Sequence, residues 1–205
     1  MHDLSLYTLE MIENSLRAGA ERVAVRVSID SARDRLAISV EDDGPGLDVS
    51  ADQATDPFFT TKAGKRTGLG LPLFREAAEA AGGRLTLQRS PALGGVGIEA
   101  VMRLSHVDRP PLGDVCQSVA VMAVTNPQAT LVLEVEAGAE SCLAQGAELA
   151  AFGAVAERCA ALLATADDPT TMPATPPVTD ERHTPDLSDP PTHDLSGPKA
   201  PTATT

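Results

Sequence analysis

Aromatic side chains are nearly missing from this chain: it has no tryptophan, one tyrosine (Tyr7) and four phenylalanines, Phe58, Phe59, Phe74 and Phe152. A core must then be assembled from Ala, Val and Leu, and the stacking platforms that usually hold single-stranded nucleic acid are lacking. Positive charge is also short, with 16 Lys and Arg against 29 Asp and Glu and a formal net charge of -13. That balance opposes binding to a phosphate backbone, so nucleic acid is set aside as a partner. Cys116, Cys142 and Cys159 are odd in number and contain no CxxC pair. The expectation is neither a disulfide framework nor a zinc site, but buried thiols in a reducing compartment. No run of about 18 apolar residues is available to cross a membrane. Asp3 and Glu10 break the N-terminal apolar pattern that a signal peptide needs. A cytoplasmic location without membrane attachment is expected.

What the chain does have is a sequence of short, clearly patterned segments. Its 205 residues leave room for one domain plus something smaller. Residues 3–18 place Leu6, Leu9, Ile12 and Leu16 on one helical stripe, with Asp3 or Ser5 as cap and Gly19 as stop. Glu10 and Asn14 lie four apart on one face, with Glu13 and Arg17 beside them; for a single helix this is ordinarily a solvated face with polar pairing. Val23, Val25, Val27 and Ile29 alternate as in a half-buried strand, and Leu36, Ile38 and Val40 repeat the pattern after a turn, which predicts an antiparallel hairpin. Residues 70–81 are helical in pattern and end at Gly82-Gly83; Leu85 and Leu87 begin a third strand, and Ile98, Ala100, Met102 and Leu104 alternate in a fourth. The order predicts an α+β fold, with helices on one face of the sheet.

Beyond residue 105 the pattern thins. A helix over 113–124, a turn at Asn126-Pro127, a strand over 131–136 and one or two Ala-rich helices over 143–163 are expected. At this size the segment 106–165 reads as an appendage packed on a main domain of residues 1–105. Residues 166–205 hold nine of the sixteen prolines and few large apolar side chains. Such a segment cannot bury enough surface to offset its ordering entropy and is read as a disordered tail.

Two stretches invite chemistry. The second strand ends in Glu41-Asp42-Asp43-Gly44-Pro45-Gly46. A carboxylate there is well placed to accept the exocyclic amino group of adenine, whereas guanine would present a carbonyl; an acidic turn, or half a calcium site without EF-hand spacing, are the other readings. From Pro57 to Arg75 there is no acidic residue but Lys62, Lys65, Arg66 and Arg75. A helix starting near Gly68 would aim free N-H groups into that basic loop, where phosphate is the natural guest. Gly68 and Gly70 would let a polyanion approach the backbone, with Thr60, Thr61 and Thr67 adding hydrogen bonds. A plain Gly-rich turn before an amphipathic helix is the alternative.

In order and spacing, Glu10-x-x-x-Asn14, Asp42-x-Gly44-x-Gly46, Phe58-Phe59-Thr60-Thr61-Lys62 and Thr67-Gly68-Leu69-Gly70-Leu71 resemble the N, G1, F and G2 boxes of the GHKL ATPases. LEMIENSLRAGA resembles the opening of MutL mismatch-repair ATPases, while PFFTTK and TGLGLPL resemble histidine-kinase catalytic domains. The resemblance covers residues 1 to 105. It implies the Bergerat fold, a two-layer sandwich with helices on one face of a four-stranded mixed sheet and Mg-ATP between the layers. It further implies Asn14 as Mg2+ ligand, Glu10, rather than Glu13, as the carboxylate that orients or deprotonates attacking water, and Asp42 on adenine. Gly44, Gly46, Gly68, Leu69 and Gly70 would shape the pocket, with Thr61, Lys62 and Thr67 near the phosphates.

In this chain Arg66 replaces the glycine that usually opens the G2 box, so Arg66 itself is placed to touch phosphate. The stretch 47–67 is also a short lid. The segment His106-Val107-Asp108-Arg109-Pro110-Pro111-Leu112-Gly113-Asp114 is similar to one in small stand-alone bacterial ATP-binding proteins. That likeness implies a regulatory protein partner, with a hydrogenase or NADH-dehydrogenase-like redox complex as the associated class. It leaves three activities open: a nucleotide-controlled interaction module, a kinase acting on His or Ser of another chain, or a slow ATPase cycling through a homodimer as MutL-like proteins do. A helix that begins near residue 3 leaves no upstream room for a phosphoacceptor helix pair, so a self-contained sensor kinase is not expected. His106, alone at a strand end, is read as structural.

Overall fold

The computed structural model describes residues 3–46, 70–151 and 154–167. All of them fall within one unit, Met1–Pro173; the second unit, Ala174–Thr205, lies outside the described residues, and so does the tail expected from 168 onward.

Helix α1, Leu4–Arg17, starts where the Asp3 carboxylate accepts the Leu6 N-H at 3.1 Å, a standard N-cap. Its buried face is Leu4, Thr8, Met11, Ile12 and Ser15. That stripe is rotated from the expected one, for Leu6 is 42% exposed. Three small hydroxyl residues, Ser5 among them, can be buried because each has a partner: Ser5 donates to the Asp3 carboxylate at 2.6 Å, Thr8 to the Leu4 carbonyl at 2.8 Å and Ser15 to Asp42 at 2.5 Å.

Strand β1, Arg22–Asp30, and strand β2, Arg35–Asp42, form the expected antiparallel hairpin, from Val23 opposite Asp42 to Asp30 opposite Arg35. A single 3-10 turn, Ser31–Arg33, joins them, closed by Asp34 in the left-handed region at φ 51°. Helix α2, Gly70–Ala80, leads into β3, Arg84–Arg89, and β4, Val96–Arg103. Helix α3, Val115–Thr125, is followed by β5, Thr130–Ala137, β6, Glu140–Gln145, the short α4, Gly146–Ala150, and α5, Ala154–Ala166.

The strands form one mixed sheet in the order β3-β4-β2-β1-β5-β6, in which only β1 and β5 run parallel. The α+β sandwich expected from the sequence is therefore correct in kind, but its sheet has six strands rather than four. Both additional strands come from the segment 106–165. Six residues, Leu85, Ala100, Ile38, Val27, Val135 and Cys142, face one another across the sheet in register and build the floor under the helices. Full burial of each aliphatic side chain in such a row stabilises by roughly 1.5–3 kcal/mol. The neighbouring row, on the opposite face, is polar: Glu99, Ser39, Arg26 and Glu134 stand side by side, and Arg26 binds Glu134 at 2.7 Å.

The segment 106–114 works as a strap. The Pro111 carbonyl accepts the Leu4 N-H at 2.9 Å, Leu112 is buried, and the Asp114 carboxylate caps α3 through the Gln117 N-H at 2.8 Å. Arg109 donates to the Leu104 carbonyl and, at 2.9 Å, to Asp167 beyond α5. The strap thereby ties the first helix to the last.

One expectation is overturned. Cys142 on β6 and Cys159 on α5 are joined as a disulfide, with Cα atoms 5.4 Å apart; widely spaced cysteines gave no hint that the fold would bring these two together. Cys116 remains a buried free thiol, pushed up to about 12 by burial and secondarily by Asp114.

Candidate functional site

The three carboxylates at the end of β2, indistinguishable by type, have three different occupations. Asp43 accepts the N-H groups of Glu21 and Arg22 at 2.9 and 2.8 Å and so pins the start of β1. Glu41 accepts the Ser90 hydroxyl. Asp42 is only 4% exposed. One of its oxygens accepts the N-H groups of Gly44 at 3.0 Å and Val96 at 2.9 Å; the other accepts the Ser15 hydroxyl.

Among the described residues no cation is bonded to Asp42; three neutral donors hold it. A carboxylate offers about four lone-pair sites, so three donors fix its orientation and leave it able to accept one more. The backbone crowds close. A Cβ at Gly95 would stand 2.3 Å from that same Asp42 oxygen, and the Gly95 N-H donates to the Asp42 carbonyl at 2.9 Å. Ser15, Gly95 and Val96 are functional supports that sequence reasoning missed. Ser15 carried one faint signal, a hydroxyl on what proves to be the buried face of α1.

On α1, Glu10 is exposed and Asn14 half-buried, one position before the Ser15 that holds Asp42. Asn14 accepts from Arg17 at 3.3 Å, and Glu13 is paired with the same Arg17 at 3.2 Å. Glu10 faces elsewhere, onto the first residue of α2: a Cβ at Gly70 would sit 2.1 Å from its carboxylate oxygen. Glu10 and Asn14 lie on α1, Asp42 is bonded to its Ser15 and to Gly44, and Gly70 packs against its Glu10, a helix-side cluster of two separate contacts. Gly46, with φ 88°, is the last described residue before the lid stretch. Thr61, Lys62, Arg66, Thr67, Gly68 and Leu69 lie outside the described residues.

A hollow of about 290 Å3 opens on the opposite face of the sheet, lined by Arg26, Arg35, Glu41 and Glu99 among others. Its arginines are already matched, Arg26 with Glu134 and Arg35 with Glu99. Among the described residues no group of three or more His, Cys, Asp or Glu side chains is gathered to hold a metal, and no helix is long and apolar enough to cross a membrane.

The family described as histidine kinase-, DNA gyrase B- and HSP90-like ATPase matches residues 2–107. The chain belongs to this ATPase family. Its curated relatives include the signal transduction histidine-protein kinase AtoS of Escherichia coli, 38% identical over 88 residues, which are 42% of this chain and 14% of that one. The sensor protein kinase PilS of Pseudomonas aeruginosa is 35% identical over 102 residues, 46% of this chain and 19% of that protein. The sensor protein ChvG of Agrobacterium fabrum is 36% identical over 95 residues, 41% of this chain and 16% of that one. The chain thus spans less than a fifth of the length of these relatives. Among solved structures, the Aquifex aeolicus MutL ATPase domain complexed with ADP is 17% identical, covers 66% of this chain and 61% of its own, and has a TM-score of 0.42. The N-terminal domain of a DNA repair protein is 13% identical, with coverages of 71% and 52% and a TM-score of 0.43. Both scores are too low to bear on function.

Proposed function

We propose that this ATPase-family protein binds Mg-ATP at the helix-side cluster and uses the bound nucleotide to control its grip on a protein partner. The observation that carries the reading is Asp42: a nearly buried carboxylate, held by three neutral donors and, among the described residues, by no cation, with accepting capacity left over. Burying a charge without a counter-ion is costly, and a site that accepts an amino group from adenine gives that cost a purpose. Asn14 would supply an amide oxygen to Mg2+ in place of the Arg17 contact it now makes. Mg2+ commonly needs few protein ligands because phosphates and water complete its shell, and when bound it neutralises phosphate charge. Glu10, beside the first residue of α2, would orient water or support phosphoryl transfer, where positioning and charge stabilisation dominate. Control of a partner follows if the lid stretch differs between bound and free states, by as much as the partner distinguishes them.

The test is the Asp42→Asn variant, titrated with Mg-ATP by calorimetry. Replacing one accepting oxygen by an amino group should weaken binding by ~1.5–3 kcal/mol, the scale of a charge-assisted hydrogen bond. Affinity equal to wild type would remove Asp42 from the adenine site.

A second reading, a kinase that passes the γ-phosphate to His or Ser of a partner, is favoured by one finding: the chain is similar to AtoS, a signal transduction histidine-protein kinase, and to PilS, a sensor protein kinase. With γ-labelled ATP, label transferred to an added protein would establish it. Free phosphate that vanishes in Glu10→Ala would instead identify an ATPase.

A further inference from the structure

Two contacts between helices α1 and α2 follow opposite orders along the two helices. At one, the ring of Tyr7 stacks on the ring of Phe74, centroids 5.2 Å apart and planes 4° from parallel. At the other, the Glu10 carboxylate and the Met11 methyl close over Gly70, where an added Cβ would lie 2.1 Å from the first and 3.3 Å from the second. Tyr7 stands one turn before Glu10 and Phe74 one turn after Gly70, so the two contacts together fix both the rotation and the axial position of α2 against α1. Turning α2 by one residue, about 100°, would replace the bare Gly70 by a leucine side chain under the carboxylate.

We propose that Tyr7 is a positioning residue for the nucleotide site: its ring, stacked on Phe74, sets where the Glu10 carboxylate stands relative to the first turn of α2. The proposal rests on the Mg-ATP reading above. In that reading the start of α2 faces the terminal phosphates, as helix N-termini commonly do, and adenine is held independently by Asp42. Displacing Glu10 by an ångström would then act on the γ-phosphate end and leave the base end alone. The environment of Tyr7 fits a ring held between both helices. Its phenol is pushed above the ordinary tyrosine value first by burial, then by Glu10 from α1 and Glu76 from α2.

The test compares Tyr7→Leu, which loses the ring, with Tyr7→Phe, which keeps it, measuring ATP and ADP affinities by calorimetry with Mg2+ present. Tyr7→Phe should match wild type. Tyr7→Leu should lose up to about tenfold in ATP affinity, the most that a lost aromatic pair worth ~0.5–1.5 kcal/mol can pass on to binding, and much less for ADP. Equal losses for both nucleotides, or no loss, would overturn the proposal. A nucleotide-free measurement guards against a variant that merely folds poorly. Because Tyr7 is the chain's one tyrosine and there is no tryptophan, phenolate absorbance reports the ionisation of this residue and no other. In Glu76→Gln the phenol should ionise at lower pH than in wild type; an unchanged titration would remove Glu76 of α2 from the surroundings of Tyr7 and count against the proposal. A wild type that binds neither nucleotide overturns the Mg-ATP reading and this proposal with it. A wild type that binds both, matched by Tyr7→Leu, overturns this proposal alone.

Discussion

Strand β2 has an aspartate near each end, and the two are held in opposite ways. Asp34, in the left-handed turn before the strand, keeps 30% of its side chain exposed and has a counter-ion, the Arg103 guanidinium at 3.0 Å, beside the Ser105 N-H and hydroxyl at 2.7 and 2.9 Å. Asp42, at the other end, is nearly buried and, among the described residues, has only neutral donors. The first is a finished clasp, joining the β1–β2 turn to the end of β4. The second is oriented but not neutralised by any described residue, which is why the proposed reading gives it a ligand. The presence or absence of a counter-ion separates the two aspartates.

The contrast can be broken most severely at the buried end. Asp42→Ala would orphan the Gly44 and Val96 N-H groups and the Ser15 hydroxyl, and should lower stability by ~3 kcal/mol, read as a shifted urea midpoint at unchanged slope. A smaller effect is due at the other end. Asp34→Ala loses the Ser105 and Arg103 contacts and places a Cβ residue without a local acceptor in the left-handed region, for ~2 kcal/mol. If Asp34→Ala proved the more damaging of the two, the assignment of clasp and ligand group would have to be exchanged.

The smallest effect is a pH dependence. Burial by itself would raise the Asp34 carboxyl, but the Ser105 donors and the Arg103 guanidinium outweigh it and hold the group below the ordinary carboxylate range. A carboxyl lower in the folded than in the unfolded state contributes fully above its unfolded value, about 4, and loses that contribution as pH falls through its folded value. Asp34→Asn should therefore flatten the acid limb of the stability curve and leave its shape above pH ~5 unchanged. An acid limb identical to wild type would show that Asp34 is not the group being titrated.

Much of this was legible in the sequence because it is local. The alternation of Val23, Val25, Val27 and Ile29, repeated in β2, marks the hairpin, and Gly82-Gly83 marks the end of α2. What was hidden depends on partners distant in the chain. Strand β6 turns only Cys142 and Ala144 inward and leaves Leu143 53% exposed, a pattern too weak and too alanine-rich to separate from helix. The stripe of α1 was misplaced because Thr8 and Ser15 look like surface residues until the Leu4 carbonyl and Asp42 receive their hydroxyls. Ser15 and Gly95 matter solely through contact with Asp42, so no reading of their own neighbourhoods could have chosen them.

The parallel pairing of β1 with β5 has a consequence for how the protein is made. Arg22 lies opposite Thr130 and Ile29 opposite Ala137, so the inner flank of β1 stays unpaired while more than a hundred further residues are synthesised. At about 5–20 residues per second that interval lasts roughly 5–20 s. Throughout it, a valine-rich strand offers open hydrogen-bonding groups to any passing chain, the usual template for aggregation. The hairpin can form early; the sheet through its middle is sealed late.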